Sequence, residues 1–364
     1  MTQELSGGSS SGDSPRFAPA PVTFTGTGTE YFGIWIVNLL LTIVTLGIYA
    51  SWAKVRRLQY FYRHTEVAGS TFDFHGNPVK IFIGRLIALA MLIAYNVSVR
   101  LHSLMTLVVV GAIAIIMPWL LRNSFRFRLY NSSWRGIRFH FRGAVGAAYR
   151  VFLLNGFLTM ITLYLLAPFM HQRVKAYQHN NSWFGQTQCS FHARVGEFYK
   201  IYLLWLVGLL LFGTLVIFGG IGSTFVAISH AKESGAPPPN PMVILKMIGV
   251  LYGALILAAV LIGPIFHALI TNLIWRNTRI GEHRIECKIS PLGLVWIGIS
   301  NLFLTVITLG LFMPWAMIRL IKFQLNAVTL VPASDMQEFL AAEPDKIGAV
   351  GEETATAFDF DISL

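Results

Sequence analysis

No carboxylate lies inside any of the long apolar stretches of this sequence. Ion- and proton-coupled transporters usually carry such a group at membrane depth, so that mechanism lacks its usual carrier. Charged residues are scarce, at 12% against 54% apolar, and a soluble two-domain reading of the length gives way to a membrane one. Cysteine is almost missing. Cys189 and Cys287 have no CxxC spacing and no histidine at a zinc-type distance, so they read as reduced structural thiols. There is no P-loop, no G-x-S-x-G, no HExxH and no dinucleotide fingerprint, and an enzyme is not expected. His75, His140 and His192 fall in similar strand-like segments, but acidic ligands are not equally placed around them. No metal and no other cofactor is expected. The net charge is +11, yet no recognisable nucleic-acid fold carries it, so nucleic acid is not an expected partner.

The stretch Tyr31 to Gly76 organises what is present. It holds an apolar run with Asn38, Thr42 and Thr45 on one helical face, then Trp52 and a basic run, then the alternating Phe72 to Gly76. The same frame recurs as Asn155, Thr159 and Thr162, and again as Asn301, Thr305 and Thr308. Apolar runs near 32–51, 81–98, 103–121, 150–169, 201–228, 243–270 and 292–313 approach the roughly 20 residues that span a bilayer. The expected fold is an α-helical multi-pass membrane protein of about seven apolar segments in two and a half internal repeats. Those repeats cover about 22–143, 144–290 and 291–331. Residues 1–21 read as a disordered leader without a signal peptide. Residues 332–364 read as an acidic flexible tail in which Phe358 to Leu364 offers a possible final strand.

Alternating segments at 22–26, 72–76 and 139–143 end in or near glycine and lead into apolar runs. Open strand edges cannot lie in lipid, so these strands are expected to pair in a small membrane-surface sheet. The phenylalanines Phe72, Phe74, Phe139 and Phe141 should pack under that sheet or against helix ends. The three Asn/Thr stripes must face protein or water; interhelical hydrogen bonding weighs ahead of a shared polar path. Trp52, Trp119 and Trp315, with Lys54, Arg56, Arg57, Arg122 and Arg319, sit where interfacial anchors belong, which makes membrane lipids the expected partner. Gly219, Gly220 and Gly222 suggest close helix packing or a hinge.

The motifs Thr-Leu-Gly-Ile-Tyr and Trp-Ala-Lys-Val-Arg-Arg at residues 45–57 resemble the YjgN-like family of bacterial inner-membrane proteins. The resemblance covers about residues 22–331, with Phe358 to Asp361 in addition. That family is known as a domain of unknown function. What it implies is a multi-pass location in the bacterial inner (cytoplasmic) membrane, and it supplies no site residue. The functional expectation is a non-enzymatic transporter or channel-like protein for a neutral or anionic solute; the alternative is a lipid-interacting or scaffold protein. The sequence names no small-molecule substrate and no oligomeric state. Two topologies compete. Either all seven runs span, or the three Asn/Thr runs dip in and return. In the second, only Arg100 and Lys232 leave the strand-bearing side, with Arg85 and Lys246 inside runs, and charge placement favours it.

Overall fold

A computed structural model describes residues 17–216 and 241–334, with isolated residues between 217 and 230. The leader up to residue 16, Gly219 and Gly220, and the tail from residue 335 with its possible strand lie outside the described residues. The chain alternates strand pairs with helix pairs. The strands are β1 Ala20–Pro21, β2 Thr23–Phe24, β3 Thr65–Val67, β4 Ser70–Phe74, β5 Ser132–Trp134, β6 Ile137–Phe141, β7 Ser182–Phe184, β8 Thr187–Phe191, β9 Thr278–Ile280, β10 His283–Cys287 and β11 Val328–Val331.

All eleven form one antiparallel sheet in the order β1-β11-β10-β9-β8-β7-β6-β5-β4-β3-β2. The strands at its two ends are neighbours in sequence, because only Val22 separates β1 from β2. Val22 N donates to Val328 O at 2.9 Å, and Thr23 pairs with Glu66. The N-terminal strand therefore joins both ends into a nearly closed barrel, which removes exposed edges. Two-residue turns connect the hairpins. In the first two, Ala68-Gly69 and Arg135-Gly136, both residues have positive φ, as the twist of a tight hairpin demands. Between hairpins the same backbone bond recurs: Thr25 N to His64 O, His75 N to Asn131 O, Arg142 N to Asn181 O, His192 N to Asn277 O and Lys288 N to Ala327 O, all at 2.7–3.0 Å.

Each pair of neighbouring hairpins is joined by a helical arm. The helices are α1 Gly28–Val44, α2 Ala50–Arg63, α3 Pro78–Leu101, α4 Ser103–Tyr130, α5 Val145–Ala148, α6 Asn155–Ile161, α7 Ala167–Asn180, α8 Val195–Val216, α9 Pro241–Arg276, α10 Pro291–Ile307 and α11 Met313–Leu325; a π-helical turn, Tyr149–Leu154, links α5 to α6. The expected fold of about seven apolar segments with a small surface sheet is overturned by the eleven-stranded barrel, and the version in which all seven segments span does not hold. Among the described residues, four helices are long and apolar enough to cross a membrane: α3, α4, α8 and the Ile248–Arg276 part of α9. The three Asn/Thr runs give shorter helices, Gly28–Val44, Val145–Ile161 and Pro291–Ile307, and the chain then doubles back. The cause is local. Leu46-Gly47, Leu163-Tyr164 and Leu309-Gly310 all have positive φ, and Gly47 N, Tyr164 N and Gly310 N reach back to the carbonyls of Thr42, Thr159 and Thr305. This left-handed pair with its long back-bond ends a helix abruptly.

One apolar cluster fills the barrel, around Val22, Val67, Trp134, Ile137 and Phe184, with Phe72 and Phe139 against it. Phe72 and Phe139 stack with ring centres 6.5 Å apart. Five further clusters form where a strand meets its helices, centred on Phe24, Phe74, Phe141, Phe191 and Cys287. The residue two positions on is Gly26, Gly76, Gly143, Ala193 or Ile289. Cβ atoms added at the three glycines would stand 2.7, 2.3 and 2.6 Å from the ring of the preceding phenylalanine. The size of one partner offsets the other: the smallest anchor, Cys287, is followed by the bulkiest neighbour, Ile289.

Candidate functional site

The threonines of the three frames are spent locally. Thr42, Thr45, Thr159, Thr162 and Thr308 each donate to the carbonyl four residues back, at 2.6–2.9 Å. Thr45 and Thr308 also accept from the first amides after the turn, Tyr49 N and Phe312 N, at 3.0 Å. Thr305 supplies its carbonyl to Gly310 N. Five of the six threonine hydroxyls are thus used within their own helices, while the Thr305 hydroxyl makes no hydrogen bond among the described residues. The asparagines behave differently from one another. Asn301 bridges α10 to α11, donating to Ala316 O and accepting from Arg319. Asn38 is buried, and its Oδ1 has no partner. Asn155 offers its carbonyl to Thr159 and is half-buried.

The turns carry the most exposed large apolar side chains of the described chain. Leu46 and Leu309 are 94% exposed and Leu163 is 86% exposed. Each sits at a left-handed position at the end of its arm. Fully burying a leucine is worth about 1.5–3 kcal/mol, so bare tips of this kind call for an apolar surrounding.

The anchor residues divide into two sorts. Arg122 donates to Gly143 O and Asn123 Oδ1, and Arg319 to Asn301 and Ser300; both tie elements together. Trp315 lies against Phe32 and Phe312, Trp52 against Tyr49 and Phe82, and Lys54 is buried. Arg56 donates to Tyr49 Oη; Arg57 is half-buried, within electrostatic reach of Tyr31; Trp119 is 36% exposed. Cys189 and Cys287 are free and buried, and burial pushes the Cys189 thiol up to about 12, which suppresses its reactivity. Among the described residues, no group of three or more metal-ligating side chains comes together.

A second grouping has almost no signature in the sequence. Lys175 lies in electrostatic reach of His179, one turn on along α7, of Arg128 of α4 and of His267 of α9. His267 Nε2 is 3.0 Å from Gln324 Nε2 of α11. Four arms thus bring polar side chains together. Burial, with Arg128 beside it, brings the Lys175 ammonium down to about 8; burial lowers His179 to about 3, so its ring is neutral. Only the His171/Lys175/His179 spacing on one helix is visible in the sequence.

The chain matches the family described as "Bacterial protein of unknown function (DUF898)" over residues 19–357. It belongs to this family. The Salmonella typhimurium inner membrane protein YjgN is 30% identical over 149 residues, covering 40% of this chain and 37% of that relative. The inner membrane protein YjgN of two Escherichia coli strains is 32% identical over 119 residues, covering 32% of this chain and 30% of each relative. The matched stretches thus span about a third of the length of these relatives. No solved structure matches the chain. The YjgN-like resemblance carried by residues 45–57 agrees with both comparisons.

Proposed function

We propose that this protein is a multi-pass protein of the bacterial inner membrane whose job is to engage lipid, without enzymatic activity. The carrying observation is the pair of arm lengths. α1 rises about 25 Å and α3 about 36 Å from equivalent starts beside the barrel, against a hydrocarbon core of roughly 30 Å. Long arms cross, while the three short arms stop inside the hydrocarbon and leave Leu46, Leu163 and Leu309 among acyl chains. The barrel stays in water on one side, where the basic loops meet headgroups. The names of the relatives support the membrane placement. The recurring frame and element order support descent by internal duplication.

Five of the six threonine hydroxyls are used within their own helices, which lends little support to a polar path, so lipid engagement ranks above solute transport. Reconstitution tests this. Purified protein in vesicles should retain specific lipids through detergent exchange, read by mass spectrometry, and should not accelerate efflux of entrapped small solutes. Saturable solute flux that disappears when Asn38, Asn155 and Asn301 become leucine would restore the transport reading.

A further inference from the structure

Arg279 of β9 and Arg284 of β10 stand directly opposite each other in the antiparallel ladder. Both are exposed on the outer wall of the barrel, while His283, Ile285 and Cys287 point inward and are buried. Like charges in this position repel. Neither guanidinium makes a hydrogen bond or an ion pair with any described residue. The carboxylates of their own hairpin do not answer them: Glu286 takes Lys288 at 2.8 Å, and Glu282 in the turn pairs with neither. The pair sits on the second rung from the turn. The same rung holds Glu66 opposite Thr71 in the first hairpin, Ser133 opposite Arg138 in the second and Trp183 opposite Gln188 in the third. Charge on that level therefore passes from acidic to basic around the barrel. The helical arms join the strands at their other ends, so this rung is turned away from the lipid.

The chemical complement leaves the barrel at the same place. β11 ends at Val331, which lies opposite Arg284 on its other side. Ala333 N then donates to His283 Nδ1 at 3.1 Å, which holds the outgoing chain against β10. Residues 335–345 follow, with Asp335, Glu338, Glu343 and Asp345 and no basic residue. Four residues of extended chain, from Val331 to Asp335, cover up to about 14 Å. Neighbouring strands are only about 4.8 Å apart, so β10 and β9 are both within reach of the first carboxylates.

We propose that the acidic segment 335–345 of this chain folds back over β10 and β9, and that its carboxylates neutralise Arg279 and Arg284. Guanidinium groups take carboxylates through paired N–H donors, and an anion between the two arginines relieves their repulsion. Attachment beside the site keeps the segment at high effective concentration, which favours it over a separate partner. Exposed ion pairs are weak singly, so the docking is sensitive to salt. The docked segment covers this part of the wall against other anions. None of this rests on the lipid-engaging function proposed above.

The test uses the full chain in phosphatidylcholine nanodiscs, loaded so that each disc holds a single copy. Cys189→Ala and Cys287→Ala clear the background, and spin labels are attached through Thr71→Cys on the barrel and Ala349→Cys beyond the acidic segment. Electron–electron double resonance should give a narrow distance distribution between them. The narrow component should disappear with Arg279→Gln plus Arg284→Gln, and at about 1 M salt, where the screening length falls to about 3 Å. Arg279→Lys plus Arg284→Lys should keep it. Neutralising the segment instead, by Asp335→Asn, Glu338→Gln, Glu343→Gln and Asp345→Asn together, should also abolish it. That variant leaves the strands untouched and decides the question if the arginine variant fails to fold, as size exclusion and circular dichroism would show. A broad distribution in the unsubstituted wall and segment, or a narrow one that survives neutralisation of either in a folded protein, overturns the proposal. A broad distribution together with retained phosphatidylglycerol that Arg279→Gln plus Arg284→Gln releases would overturn it in favour of lipid on this wall.

Discussion

Arg319 donates to Asn301 Oδ1 at 2.9 Å, and Asn301 Nδ2 donates to Ala316 O at 2.9 Å, so one asparagine clamps two helices of the fifth arm. Arg56 stands at the same offset from Asn38 in the first arm. There the guanidinium goes to Tyr49 Oη, and Asn38 Oδ1 is left without a partner. The same sequence frame therefore has two energetic meanings. Asn301→Leu should lower stability by about 1–3 kcal/mol, since Ala316 O and the Arg319 guanidinium both lose a partner. Asn38→Leu should be neutral or stabilising, because it removes a buried acceptor that nothing satisfies. Melting of both variants in one detergent checks the difference; equal losses would show that Asn38 has a partner in solution.

The phenylalanine–glycine contacts make a second contrast. A methyl at Gly76 would stand 2.3 Å from the Phe74 ring, whereas a methyl at Gly33 meets nothing within 4 Å. Gly76→Ala should destabilise by about 1–3 kcal/mol through overpacking. Gly33→Ala, within α1, should stabilise by up to about 1 kcal/mol through helix propensity. Chemical denaturation of the two variants reads this directly, and a harmless Gly76→Ala would mean that Phe74 can rotate away.

The membrane character, the Asn/Thr frame and the strand-like segments are all legible in the residues. The barrel is not. Its return strands, such as Ser132–Trp134 and Thr278–Ile280, are three residues long, too short for alternation to register. At the seam the N-terminal strand meets a strand more than 300 residues away, and no local pattern announces that Val22 meets Val328. Whether the three short arms span or return stays open in the residues, because their apolar runs continue through the turn. Leu46 and Leu309 are as apolar as any helical residue, and only Gly47 and Gly310 mark the reversal; in the middle arm Tyr164 hides even that. Trp52 and Arg56 are visible as anchors, but the grouping around Lys175 draws on four arms and leaves only the Lys175/His179 spacing in sequence.

Lys175 makes stability depend on pH in a defined direction. Its folded pKa is depressed from 10.5 to about 8, so the folded state binds this proton more weakly than the unfolded state does. The cost of holding the charge is fully present below about pH 8, and it fades as pH rises toward the unfolded value. Each tenfold loss of proton affinity is worth about 1.4 kcal/mol, so Lys175→Met in anion-free detergent should stabilise the protein near pH 7 by roughly 1–3 kcal/mol. The gain should shrink toward pH 10. A gain that stays constant across this range would mean that packing of the methionine, not lost charge, is responsible.

The arm lengths lead to a topology that three engineered cysteines can read, in a background with Cys189→Ala and Cys287→Ala. Thr71 is exposed on β4 in the barrel, Ser103 lies exposed at the turn between α3 and α4, and Leu309 is the bare tip of the fifth arm. If the long arms cross and the short arms return, a thiol reagent that cannot cross the inner membrane should label Ser103→Cys in intact cells. Thr71→Cys should react only after the membrane is opened. Leu309→Cys should resist labelling in both conditions and react only once detergent and denaturant remove the surrounding lipid. The α10–α11 turn is the decisive position, because a helix of 17 residues can reach the far interface only if the barrel itself sinks into the headgroups. Labelling of Leu309→Cys in intact cells would make that arm a span and would place the tips in water, contrary to their exposed leucines. Thr71→Cys labelling without permeabilisation, with Ser103→Cys protected, would invert the orientation and place the basic strand-bearing segments on the outer side.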